Sequence, residues 1–240
     1  MEIFFAPEAM PDAETIIFGG NTARHISRVM RHRPGDVVKA TDGRGTEFEL
    51  KLTAVGVSRV EGRVLGRRMR PTEPRHKVAL AQALLKGRGL AQVVETATEL
   101  GVSEVIPFLS ERTVAKMSAV RRSRLQHVAV SGLETSMRTV LPCIADCVSF
   151  EGLLGRMTEF DMTVVAYEGE CRFGIDDVLD KDVRSVLAVV GPEGGFSELE
   201  IDRLKVTGAK VFSLGPRRLR AATAASTVVA LCLQRLGDLG

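Results

Sequence analysis

The chain has 240 residues, enough for one large α/β domain or for two unequal domains, each with a proper core. With 45% hydrophobic and 26% charged residues it has the composition of an ordinary globular protein, which excludes disordered and fibrous classes. The net charge of +3 is unevenly spread, because residues 1–77 hold 14 of the 33 basic and 10 of the 30 acidic side chains, net +4, and residues 78–240 hold 19 and 20, net −1.

No apolar run approaches the ~20 residues that span a bilayer, and the N-terminal MEIFFAPEAMPDAET carries acids where a signal peptide carries bases. A cytoplasmic protein without a membrane partner is therefore expected. The four cysteines, Cys143, Cys147, Cys171 and Cys232, include no Cys-x-x-Cys pair and read as reduced thiols, with no metal site indicated.

In chain order, Ile3 to Phe5 reads as a short strand, and the segment Ala23 to Arg33 reads as a helix stopped by Pro34-Gly35. Its spacing puts Arg24, Arg28 and Arg31 on one side and Ile26, Val29 and Met30 on the other. Val37 to Ala40, a turn at Asp42-Gly43, Thr46 to Val55 and Val60 to Leu65 follow as strands, with Phe48, Leu50 and Leu52 alternating with charged neighbours. Alternation of this kind suits a small barrel or half-open sheet. The basic excess of this front part fits a polyanionic partner and a solvated charged face equally well.

Arg70-Pro71-Thr72-Glu73-Pro74 reads as a linker. Beyond it strands and helices alternate: strand Val78 to Leu85, helix Leu90 to Leu100, strand Val105 to Leu109, helix Arg121 to Glu134, strands Met162 to Ala166 and Val186 to Val190, helix Glu198 to Val206, strand Lys210 to Leu214 and helix Thr223 to Leu236. Strands apolar on both faces, such as MTVVA and SVLAVV, belong in a parallel sheet covered by helices.

Three strand ends carry chemistry. Val190 runs into Gly191-Pro192-Glu193-Gly194-Gly195, and Ser197 with Glu200 forms a capping box that opens the next helix. The glycines permit a sharp turn with main-chain polar groups open to a flat ligand, at the strand end where open α/β sheets bind ligands. The loop matches neither a dinucleotide fingerprint nor a P-loop. Leu214-Gly215-Pro216-Arg217-Arg218-Leu219-Arg220 follows another strand, and Tyr167-Glu168-Gly169-Glu170 a third.

VVGPEGGFSELEI, LGPRRLRAATA and the terminal RLGDLG resemble the RsmE family of 16S rRNA (uracil-N3) methyltransferases, of the SPOUT class. HISRVMRHRPGDVVKATDGRGTEF, LLKGRGLAQVVETATELGVSEVIPFLSER and ETSMRTVLP resemble it too, in the same order, so the likeness covers nearly the whole chain. The resemblance implies a PUA-like RNA-binding β-barrel over residues 1–71 and a SPOUT α/β trefoil-knot methyltransferase domain over residues 72–240. It also implies a homodimer acting on 16S rRNA of the small ribosomal subunit, with S-adenosylmethionine as cofactor and no metal.

Carried over residue by residue, the cofactor-binding positions are Tyr167, Glu168, Gly169, Val190, Gly191, Pro192, Glu193, Gly194, Gly195, Leu214, Gly215, Leu219 and Arg220. Two departures stand out. Relatives often carry an acid where this chain has Ala222, and Glu-Gln-Ser-Gly-Arg where it has Glu134-Thr135-Ser136-Met137-Arg138. On this reading Arg138 and Arg220 steady negative charge on the uracil oxygens, and Glu193 is a weaker candidate as base or ribose contact. Arg24, Arg28, Arg31, Lys86 and Arg88 hold the RNA. The alternatives are another SPOUT enzyme, modifying tRNA at a ribose 2′-O or a guanine N1, and a non-catalytic RNA-binding assembly factor.

Overall fold

The computed structural model describes residues 3–115 and 119–239. The chain divides into two compact units, one of Met1–Glu73 with Val130–Leu141 and one of Pro74–Ala129 with Pro142–Gly240. The first boundary falls inside the linker read from the prolines. The return of residues 130–141 to the first unit is beyond what a single cut in the sequence provides.

In the first unit, β1 (Ile3–Phe5), β2 (Thr15–Gly19), β3 (Val37–Thr41), β4 (Thr46–Val55) and β5 (Arg59–Met69) form one sheet in the order β1-β3-β4-β5-β2, antiparallel except for β1 beside β3. Register shifts between β4 and β5 at Glu49/Leu50 and Leu52/Ala54 bend and twist the pair, which curls the sheet around Phe4, Phe18, Phe48, Leu50 and Leu52. Phe48, Leu50 and Leu52 point inward while Glu49 and Lys51 face solvent, as their alternation predicts. The edge strand β2 escapes the sequence reading because it offers only five residues, with Ile16 and Phe18 inside and Ile17 outside.

The arginine-rich helix differs from expectation. It runs as α1 (Gly20–Arg24) and continues as a π-helical turn over His25–Val29, closed by Met30 N–H to the His25 carbonyl at 2.9 Å. The wider turn shifts the helical phase. Only Ile26 of the three expected apolar residues is buried, whereas Val29 is 64% and Met30 39% exposed. Arg24, Arg28 and Arg31 are exposed, but Arg31 lies past the helical turn, at φ +58°.

The second unit holds a six-stranded, all-parallel sheet. Its strands are β6 (Lys77–Ala83), β7 (Glu104–Phe108), β8 (Cys143–Ile144), β9 (Met162–Ala166), β10 (Ser185–Val190) and β11 (Lys210–Phe212), in the order β11-β9-β10-β6-β7-β8. The helices are α2 (Gly89–Leu100), α3 (Ala119–Ser136, whose last turns belong to the first unit), α4 (Phe150–Arg156), α5 (Ile175–Val178), α6 (Glu198–Val206) and α7 (Ala221–Arg235). Past their first residues β6 and β10 are buried along their whole length, as are the central residues of β9, which is why SVLAVV and MTVVA read as apolar on both faces. The short β8, α4 and α5 lie in stretches that the sequence reading left unassigned.

Candidate active site

Parallel register brings the sequence-chosen loops together. Ala166 pairs with both Val190 and Phe212, and Val190 pairs with Gln82, so β6, β10, β9 and β11 end level with one another. The segments 84–88, 191–195, 167–170 and 213–220 therefore leave the same edge of one sheet, at its carboxyl ends. Tyr167 N–H donates to the Phe212 carbonyl at 3.1 Å, and Ser213 N–H to the Phe173 carbonyl at 2.8 Å, tying the second and third loops to each other.

The Gly191–Gly195 loop is held from several sides. Gly195 N–H closes a turn on the Pro192 carbonyl at 3.0 Å, with Gly195 at φ +69°, a conformation that side chains disfavour. A Cβ on Gly195 would stand 2.8 Å from Glu168 Oε1, so the glycine lets the 191–195 and 167–170 loops close on each other. Phe196 lies against Gly191, where a Cβ would come within 3.1 Å of the ring, and it stacks on Phe108 at 6.3 Å. Arg112 Nη1 donates to the Gly194 carbonyl at 3.1 Å.

The capping box forms as its spacing predicts. Ser197 Oγ accepts from Glu200 N–H at 3.3 Å, and Glu200 Oε2 accepts from Ser197 N–H at 3.0 Å. Glu200 does more than cap. Its buried carboxylate also accepts from Ser110 Oγ at 3.2 Å and from Glu111 N–H at 2.9 Å, joining the start of α6 to the segment after β7. In the 167–170 loop, Glu170 takes N–H donors from Cys171 and Arg172, and the Arg172 N–H holds its carboxyl below the ordinary carboxylate range.

These loops offer main-chain polar groups to a flat ligand, an exposed carboxylate at Glu168 for a hydroxyl or ammonium, and a guanidinium at Arg220 for an anionic group. Among the described residues no cluster of His, Cys, Asp or Glu could hold a metal. The four cysteines are free.

Comparison with known proteins assigns the two units. The family described as "RNA methyltransferase domain" matches residues 71–233, and "RNA methyltransferase PUA domain" matches residues 18–65. Ribosomal RNA small subunit methyltransferase E of Bacillus subtilis is 34% identical over 227 residues, spanning 90% of this chain and 89% of that protein. The chain belongs to the RsmE family of RNA methyltransferases. The RsmE protein of Synechocystis sp. is 31% identical over 94% of this chain and 74% of its own length. The crystal structure of an RsmE from Neisseria gonorrhoeae, bound to S-adenosyl methionine, has a TM-score of 0.88 at 27% identity, covering 98% of this chain and 97% of that one.

Within this RsmE chain, most of the expected site residues stand on the level strand ends. Val190, Gly191, Pro192 and Gly195 are buried, Tyr167, Leu214 and Leu219 are half-buried, and Glu168, Gly169, Glu193, Gly194, Gly215 and Arg220 are exposed. Lys86 and Arg88 are exposed on the turn after β6, where Glu193 Oε1 accepts from Lys86 N–H at 2.9 Å. That bond gives the Glu193 carboxylate a tying role between two loops, apart from any proton transfer.

Arg138 is placed differently. It lies in the first unit, 3% exposed, with its guanidinium in an ion pair to Glu73 at 2.7 Å. A group so enclosed has its guanidinium engaged in the protein's own framework, through the buried carboxylate of Glu73. Gln82, outside the set of residues expected at the site, is marked in the sequence as a polar residue in the middle of VALAQALL.

Proposed function

We propose that this chain transfers the methyl group of S-adenosylmethionine to N3 of a uridine in 16S rRNA of the small ribosomal subunit. The observation that carries the reading is the level register of β6, β10, β9 and β11, which gathers all three loops expected from the family at one edge, in a chain similar over nearly its full length to RsmE enzymes.

The residues present fit the cofactor. The turn at Gly194-Gly195 has no side chain where one would meet Glu168 and Arg112, leaving main-chain groups for an adenine edge, and Glu168 offers a carboxylate to a ribose hydroxyl or the ammonium. When bound, S-adenosylmethionine supplies an electrophilic methyl group on a sulfonium. The chain's own part is to hold the uracil in line with that methyl and to steady the charge that appears when N3 loses its proton. N3 lies on the Watson–Crick edge, so the base reacts unpaired or extruded. Arg220 is the residue we assign to the uracil oxygens.

In the first unit, Arg24, Arg28 and Arg31 are exposed and would contact phosphates. Replacing all three with alanine should weaken binding of the small subunit and reduce the slope of log affinity against log salt by about two, as expected for the loss of three phosphate contacts to single-stranded RNA. Filter binding over a salt series reads this, and an unchanged slope would exclude these arginines from the interface.

The test of the reaction is methyl transfer from labelled S-adenosylmethionine to small subunits lacking the modification, followed by identification of the methylated nucleoside. 3-Methyluridine supports the reading. A methylated guanine or ribose would assign another specificity, and cofactor binding without transfer would point to a non-catalytic factor. Sedimentation of the pure protein checks the homodimer that the same reading expects.

A further inference from the structure

We infer that Gln82 is a positioning residue for the cofactor loop, holding the peptides at the junction of β10 and the Gly191–Gly195 turn through its side-chain amide. Its side chain is fully buried in a sheet whose neighbouring positions are aliphatic. Nε2 donates to the carbonyls of Ala83 at 3.0 Å, Gly191 at 3.1 Å and Val190 at 3.4 Å. Two of those acceptors are the last residue of β10 and the first of the glycine turn. Oε1 is buried as well and has no hydrogen-bond partner among the described residues.

That asymmetry is the clue. Turning the amide over would set Oε1 against three carbonyl oxygens, so the donor requirement fixes the side chain in one orientation. Burying an acceptor without a donor weakens the folded state, so an apolar side chain like those of Ala81 and Ala83 would serve the core better. A local rule broken at the mouth of a site points to function. Each peptide is planar, and fixing the Val190 and Gly191 carbonyls toward β6 therefore sets the direction in which the turn leaves the sheet. Phe196 holds Gly191 from another direction, and Glu193 ties the middle of the turn to Lys86 N–H. β6 thus grips the loop twice, once through Gln82 at its root and once through the turn that follows the strand.

This inference rests on the reading that the Gly191–Gly195 loop binds S-adenosylmethionine, and the two are tested separately. Hydrogen exchange of the parent protein with and without S-adenosylmethionine tests the loop alone: protection of the peptide spanning 190–196 supports it, and no protection removes the loop assignment whatever Gln82 does. For Gln82 itself, Gln82→Met conserves shape and removes the donor. Methyl transfer to small subunits should show the KM for S-adenosylmethionine raised about tenfold, equivalent to about 1.4 kcal/mol. The KM for the subunit should be unchanged and kcat should stay within about threefold, since the reacting groups are untouched. Calorimetric binding of S-adenosylmethionine should weaken by the same factor. Gln82→Asn, which keeps the amide but withdraws it by one carbon, should behave alike and serves if the methionine variant fails to fold. A loss of kcat with the cofactor KM unchanged, the mark of a merely structural residue, would overturn the inference, as would no change in either.

Discussion

Arg220→Ala is expected to lower kcat for methyl transfer by about 10²- to 10³-fold, the range found when one preorganised donor to a developing anion is removed. Arg220 precedes α7 as its N-cap residue, at φ −66° and ψ 148°, yet its side chain makes no capping bond. It is exposed and its guanidinium has no hydrogen-bond or ion-pair partner among the described residues. With alanine at 222, no carboxylate two residues on competes for it. Such a side chain contributes little to folding, so the melting temperature should be that of the parent within the small range of surface substitutions. Arg220→Lys keeps the charge but not the planar fork, and an intermediate rate is expected. Single-turnover transfer, paired with calorimetry of S-adenosylmethionine and a thermal melt, separates these effects. Turnover and cofactor affinity both equal to the parent's would remove Arg220 from the site.

The loops around Arg220 were readable because each breaks a pattern at the same point. Runs apolar on both faces, SVLAVV and MTVVA, each give way to glycine or to charge at the strand end, as does the shorter KVF after two further residues, and register then places those breaks side by side. What sequence could not supply is the partner of a side chain far along the chain. Gln82 is visible as a polar residue in an aliphatic strand, but its acceptors at Val190 and Gly191 lie more than a hundred positions away. The helix of Arg24 and Arg28 was readable as a helix, and its buried face was not. The π-turn at His25–Val29 moves Val29 and Met30 out of the phase that a regular spacing assumes. Short elements such as β8, with two residues, carry too few positions for any period to register.

Arg138 is the sharpest case, because the resemblance implies a catalytic role and the fold adds a buried ion pair that no local pattern announces. Its Nη2 and Nε donate to Glu73 Oε2 at 2.7 and 3.2 Å, while Glu73 Oε1 accepts from Thr139 N–H at 2.7 Å and Val140 N–H at 2.9 Å. Both side chains are nearly inaccessible, at 4% and 2%. The pair fastens the linker residue Glu73 to the segment after α3, entirely within the first unit. Removing one partner of a buried pair leaves the other charge desolvated, at a cost of about 3–5 kcal/mol. Glu73→Ala should therefore lower the melting temperature by roughly 10 °C for a chain of this size.

Acid should act on the same contact. Burial pushes the Glu73 carboxyl up, but the hydrogen bond and charge of Arg138, with the Thr139 and Val140 N–H donors, outweigh it and hold the group below its ordinary 4.5. A carboxylate depressed by folding contributes stability that is full above the unfolded value and is lost as pH falls through the folded one. Urea unfolding of the parent and of Glu73→Gln should thus differ by a constant amount near neutrality and converge as the pH drops below the ordinary carboxylate range. A thermal melt paired with a turnover measurement decides the role of Arg138. If Arg138→Lys melted with the parent and still lost turnover about a hundredfold, in the range of a missing oxyanion donor, the residue would belong to catalysis after all. A lowered melting temperature with the kcat of the folded fraction intact is the outcome its buried ion pair predicts.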